Sequence, residues 1–108
     1  MFDELRGIIH RDYDVFSGIA LEGYFQAKFM EEHAFSRIGG WWDRKGESEI
    51  DLVGDNEFTN ELSFFEVKRD ARRINLQYLE QKSQAFFLKH PELQTRRLSF
   101  NGLSLKNM

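Results

Sequence analysis

The chain has 108 residues, of which 41% are hydrophobic, with one proline and no cysteine. That length is enough for one compact domain, and the absence of cysteine excludes disulfide staples, thiolate metal sites and cysteine nucleophiles. The net charge of −3 argues against a uniformly basic nucleic-acid coat, but the charge is unevenly spread along the chain. Residues 1–34 carry 3 basic and 7 acidic side chains, residues 35–67 carry 3 and 8, and residues 68–108 carry 9 and 3. An acidic front half and a basic back half suit a metal pocket beside a phosphate-attracting face, and equally suit a solvated basic helix.

Eleven phenylalanines and two tryptophans can supply a dense core. The first residues lack a basic stretch followed by a long apolar run. No later segment approaches the roughly 20 apolar residues of a membrane span. A soluble, cytoplasmic protein with no membrane partner is expected. Neither a Gly-rich phosphate loop ending in Gly-Lys-Ser/Thr nor a GxGxxG fingerprint occurs, so the chain is no nucleotide-binding ATPase by itself.

Helical periodicity runs from Tyr13 to His33 and gathers Val15, Phe16, Ile19, Phe25, Phe29 and Met30 on one broad face. Glu22 and Gln26 project from the middle of that face. A carboxylate there needs a partner, because an unpaired buried charge is costly. A plain ion pair with a buried basic group is the competing account of Glu22.

Phe35 to Trp42 reads as a strand, Asp43 to Glu47 as a turn and Glu49 to Gly54 as a second strand. Asp55-Asn56-Glu57 supplies the next turn, and Leu62 to Lys68 a third strand. Period-two alternation in that strand puts Phe64, Glu66 and Lys68 on one face and Phe65 and Val67 on the other. The same alternation sends one of Trp41 and Trp42 into the core and the other outward, where it could stack on a base.

A second helix is expected over Ala71 to Lys89, ended by His90-Pro91. It carries two apolar stripes. Ile74, Tyr78, Ala85 and Leu88 form the one expected to face the sheet. Leu76, Leu79, Phe86 and Phe87 form the other, free to close the core against the first helix or to meet another chain. Arg97 to Leu105 reads as a last strand with Asn101-Gly102 as a turn or bulge inside it. His10, His33 and His90 are far apart without ligand spacing, which argues against zinc.

The resulting order is helix, three strands, helix, strand, an α/β (α+β) fold with an αβββαβ core and a mixed sheet flanked by two helices. Glu22 lies on the first helix, Asp51 in the second strand within Glu-Ile-Asp-Leu-Val, and Glu66 and Lys68 flank Val67 on the third. This arrangement resembles the PD-(D/E)XK nuclease superfamily, in which an aspartate on one strand and Glu-X-Lys on the next converge at a Mg²⁺ site, often with an acid from the preceding helix. It is also similar to the domain that follows the ATPase domain in archaeal-type ATPases, found in bacteria too. The likeness rests on Ile38-Gly39-Gly40-Trp41-Trp42, Glu49-Ile50-Asp51-Leu52-Val53 and Glu66-Val67-Lys68, with Gly40 standing where an arginine is common.

The resemblance implies a restriction-endonuclease-like single domain over residues 1–108, either the C-terminal part of a longer ATPase or a stand-alone relative. It implies catalytic roles for Glu22, Asp51, Glu66 and Lys68. Mg²⁺ (or Mn²⁺) would be held by Asp51, Glu66, the Val67 carbonyl and Glu22, a hard-oxygen set suited to such an ion. Arg69, Arg72, Arg73 and Lys82 are the natural phosphate contacts if DNA binds and a solvated face if it does not. Gln81 is the polar helix residue that would support the site. The activity so implied is metal-dependent endonucleolytic cleavage of DNA. Its alternative is a non-catalytic DNA- or protein-binding or dimerisation module, partnered by an ATPase domain of the same polypeptide or by a second copy.

Overall fold

The computed structural model describes residues 18–46 and 48–108. Within these, helix α1 covers residues 18–31 and is followed by β1 (Arg37–Trp42), β2 (Glu49–Asn56) and β3 (Glu61–Val67). Helix α2 (Leu76–Lys89) and β4 (Arg97–Leu103) complete the αβββαβ order. The four strands form one mixed sheet in the order β1-β2-β3-β4, antiparallel between the first three and parallel between β3 and β4. A parallel neighbour needs a crossover, and α2 supplies it.

The two helices lie on opposite faces of this sheet. On α1, Leu21 and Phe25 are buried four residues apart and Phe29 continues their stripe, packing on Leu52, Phe65 and Val67. The expected apolar face was broader. Ile19 and Met30 are exposed, Leu21 takes their place inside, and Val15 and Phe16 lie outside the described residues. One sheet contacts only a narrow arc of a helix, which leaves the flanks of a wide apolar face uncovered. The helix stops where His33 takes φ 52° and the Ala34 N–H donates back to the Phe29 carbonyl at 3.0 Å, a left-handed residue ending the helical ladder.

On the other face, Leu79, Phe86 and Phe87 of α2 pack on Ile50, Leu62 and Phe64. This reverses the expected orientation of α2. The Leu79, Phe86 and Phe87 stripe faces the sheet, whereas Tyr78 and Leu88 are exposed. The aromatic pair decides the matter, because Phe86 and Phe87 both meet Phe64 edge to face at 5.4 and 5.7 Å and bury more area than Tyr78 and Leu88 could. The expected helix also begins later. Ala71–Arg73 is a short 3-10 turn, and α2 starts after Asn75, whose side chain accepts the Tyr78 N–H at 3.1 Å.

Two further differences concern the sheet. Asn101 and Gly102 do not turn or bulge but pair in register with Phe65 and Glu66. Glycine is needed there for a different reason, since a Cβ on Gly102 would lie 2.7 Å from the Ile74 side chain. The irregularity sits instead in β2. Gly39 pairs with Val53 and Trp41 with Ile50, so two steps along β1 are matched by three along β2, and the extra residue falls at Asp51-Leu52. This bulge explains why Ile50 and Leu52, two residues apart, belong to cores on opposite faces. The tryptophans divide as alternation requires, Trp41 packing on Phe86 at 5.5 Å and Trp42 remaining 69% exposed.

The orientation of α2 is testable. Leu79→Ala should cost about 3 kcal/mol in chemical denaturation, whereas Leu88→Ala should stay within about 0.5 kcal/mol of wild type. Equal losses would contradict the assignment of the buried stripe.

Candidate functional site

The β2 bulge places Asp51 where the β2–β3 ladder ends. The last paired residues at that end are Leu52 and Phe65, so the Val67 N–H has no main-chain partner across the strands. Asp51 supplies one: its Oδ2 accepts that N–H at 2.8 Å. A buried donor left unmatched is costly, so the bond fixes the carboxylate against the end of β3. The fit is tight on the β1 side as well, where a Cβ on Gly40 would stand 3.2 Å from the Asp51 carbonyl oxygen.

Across from Asp51, one turn into α1 from Gly18, stands Glu22, half buried. Burial raises the Glu22 carboxyl from 4.5 to about 7, helped by the charge of Asp51 and a side-chain hydrogen bond to it, and by Glu49; the Lys68 charge acts weakly the other way. Glu22 therefore retains its proton up to near neutral pH.

Glu22, Asp51, Val67 and Lys68 line one open hollow of about 750 Å³. Arg69, Arg73 and Lys106 also line it, so an acidic floor is bordered by cations. Arg72 instead pairs with Asp70 at 2.8 Å and holds the Asp70 carboxyl below its usual range. Lys82 stands over the Tyr78 ring, 4.8 Å from its centroid, and is not part of the lining. Gln81 is exposed on α2 and does not line the hollow either.

Glu66 differs from expectation. It does not line the hollow; its Oε2 accepts the Asn75 N–H at 2.8 Å, at the start of α2 on the opposite side of the sheet. The expected sharing of one strand face by Glu66 and Lys68 fails because β3 ends at Val67. Lys68 belongs to the following loop, where alternation no longer governs direction. Glu66 is 5% exposed, and its charge is satisfied by the N-terminal end of α2. Accordingly, no group of three or more His, Cys, Asp or Glu side chains is arranged to hold a metal among the described residues.

Lys106 escaped the sequence reading because residues up to Leu105 read as strand. The chain instead leaves β4 into a 3-10 turn, Leu105–Asn107, closed by a capping box between Ser104 and Asn107. The Ser-x-x-Asn pattern was the available signal. The Leu105 N–H donates to the Arg69 carbonyl at 3.4 Å, which ties this turn to the loop carrying Lys68 and Arg69.

A family described as archaeal and bacterial proteins of unknown function has a sequence model that matches residues 3–86. No curated protein and no solved structure matches. Among the described residues no helix is long and apolar enough to cross a membrane.

The retained proton has a sign that can be checked. With its carboxyl raised from 4.5 to about 7, Glu22 binds a proton more tightly in the folded than in the unfolded chain. Its contribution to stability is therefore full below 4.5 and is lost as pH rises through about 7. Glu22→Gln should flatten this stretch of the stability profile and gain about 1 kcal/mol above neutral pH, after discounting for the half-exposed setting. Thermal melts across that window test it, and an unchanged slope in the variant would rule out the retained proton.

Proposed function

The chain belongs to this family of archaeal and bacterial proteins of unknown function, and we propose that it is a Mg²⁺-dependent nuclease-like domain acting on DNA phosphodiesters. The observation that carries this reading is the convergence of Glu22, Asp51, the Val67 main chain and Lys68 on one open hollow rimmed by Arg69, Arg73 and Lys106.

The donor set fits a small hard cation. Mg²⁺ is commonly held by one or two carboxylates, with water and substrate phosphate completing its shell. Asp51 has one oxygen engaged by the Val67 N–H and shares a side-chain hydrogen bond with Glu22, a contact that a cation between the two carboxyls would replace. Glu22 contributes a second carboxyl, and the proton it retains beside Asp51 marks a place where positive charge is favourable. The Val67 carbonyl is the third donor in this reading. When bound, the ion supplies a bound water of lowered pKa and screens the phosphate charge.

The protein's own groups do the rest. Asp51 is held by its bond to the β3 main chain, so its carboxylate is presented to the hollow without the cost of ordering it. Lys68, in the loop after β3, offers an ammonium to orient the attacking water or stabilise charge developing on phosphate. Arg69, Arg73 and Lys106 draw the backbone in, which accounts for the basic end of a chain of net negative charge. Glu66 acts from the other side of the sheet, fixing the start of α2 and with it the loop that bears Lys68 and Arg73.

A second reading, a non-catalytic binding module serving an ATPase domain, is favoured by the exposed Leu76, Tyr78 and Leu88 on α2. Retained capture of such a partner by a Tyr78→Glu, Leu88→Glu variant would remove that support.

In a plasmid-nicking assay, Asp51→Ala and Lys68→Ala should each lower Mg²⁺-dependent cleavage by about a hundredfold or more. Equal cleavage by wild type and Asp51→Ala would end the nuclease reading. Calorimetric titration with Mn²⁺ should lose its heat in Asp51→Asn and keep it in Glu66→Gln, with proton release near neutral pH as Glu22 deprotonates. Loss in Glu66→Gln alone would return Glu66 to the metal shell.

A further inference from the structure

Among the described residues β1 is an outer strand of the sheet, paired only with β2. Its sequence, Arg37-Ile38-Gly39-Gly40-Trp41-Trp42, contains none of the usual defences of an edge. It has no proline, no lysine and no inward charge, and its bulge lies on β2 rather than on the edge strand itself. Such an edge is a template for another strand. What it fits is decided by the side chains on its two faces.

Those faces are known from packing. Trp41 belongs to the α2 side, against Phe86, and Ile38 to the α1 side. Alternation then puts Gly39 with Trp41, and Gly40 and Trp42 with Ile38. Gly39 leaves a groove of about 390 Å³ between the sheet and the end of α2, floored by Trp41, Leu62 and Phe86. A Cβ built on Gly39 meets nothing within 4 Å. Trp42, on the other face, is 69% exposed. One outer strand thus offers an empty space on one face and an uncovered indole on the other.

We propose that β1 pairs antiparallel with β1 of a second copy of this chain, about a two-fold axis at Gly40, joining two four-stranded sheets into one. Two-fold symmetry restricts the register. Residues directly opposite in a sheet share a face, and a dyad perpendicular to the sheet maps each face onto itself, so only residues of like parity can pair. Three registers then overlap the strand well. Centring on Gly39 leaves Trp42 beyond the partner strand, and centring on Trp41 sets the two Trp41 indoles against each other.

Centring on Gly40 pairs every residue from Ile38 to Trp42 within the two strands. Trp41 comes opposite Gly39 of the copy, an aromatic covering a glycine across the strands, and fills the space that Gly39 leaves. Trp42 comes opposite Ile38 on the α1 face. Arg37, already bonded to Glu57 at 3.2 Å, comes level with Asp43, the first residue beyond β1 of the copy, near enough for their opposite charges to attract. Each of these contacts occurs twice. Because the dyad preserves faces, both hollows containing Glu22 and Asp51 open on the same side of the joined sheet.

The test uses the 108-residue chain and light scattering over a concentration series, with circular dichroism to verify folding. Wild type should run as a concentration-dependent dimer. Trp42→Glu, which removes little core because the indole is mostly exposed, should be monomeric, with native circular dichroism and a melting temperature that, unlike that of wild type, does not rise with protein concentration. Arg37→Asp should raise the dimer Kd by roughly fivefold, and an equimolar mixture of Arg37→Asp and Asp43→Arg chains should regain wild-type affinity, since each opposite pair is then of unlike charge. A monomeric wild type overturns the proposal, as does a Trp42→Glu chain that still dimerises. A mixture no tighter than Arg37→Asp alone overturns the register, and strand capture from a different protein by a monomeric chain would assign the edge to that partner instead.

Discussion

One extra residue in β2 governs the rest of the molecule. Strand pairing with β1 and β3 would otherwise continue to the end of the sheet, leaving Asp51 as an ordinary member of an alternating strand. The bulge breaks the ladder, turns Ile50 and Leu52 to opposite faces and brings Asp51 to the Val67 N–H at 2.8 Å. A side chain then performs the pairing that the main chain has lost. The bond satisfies a donor at the sheet's end and fixes the carboxylate on which the candidate site is built.

From that constraint the site's electrostatics follow. Asp51 held beside α1 meets Glu22 on a half-buried helix face, and burial, with the charge of Asp51 beside it, raises the Glu22 carboxyl to about 7. The cations arrive from a separate part of the chain, the loop after β3 and the turn after β4, linked to each other by the Leu105–Arg69 bond. The hollow therefore combines an acidic floor, Glu22 and Asp51, with a basic rim of Lys68, Arg69, Arg73 and Lys106. Glu66 stands outside it because strand alternation aims it at the N-terminus of α2, where a carboxylate is well placed for its own reasons.

The two layers of the core divide the work. Phe64 anchors the α2 layer, meeting Phe86, Phe87 and Phe100 at 5.3 to 5.7 Å, and this sets the crossover that makes β4 parallel to β3. The α1 layer is built on Phe25, Phe29 and Phe65 and carries Glu22 to Asp51. The sheet's outer strand β1 meets the α2 layer through Trp41, and the Gly39 groove beside it is bounded by Arg96, bonded at 2.9 Å to Asp55, the cross-strand neighbour of Arg37.

The sequence by itself determined the order of elements, the division of the tryptophans and the need of Glu22 for a partner, because periodicity and the cost of a buried charge act locally. It did not determine which α2 stripe is buried, since two apolar stripes of one helix are equivalent until Phe64 selects Phe86 and Phe87. Nor did it determine that Glu66 and Lys68 part company. Alternation predicts direction only inside a strand, and β3 stops at Val67, where its parallel pairing with β4 ends at Leu103. The third wall of the hollow, the turn bearing Lys106, was equally out of reach, because a turn that closes against a loop some 35 residues earlier in the chain exists only once the sheet has brought the two together.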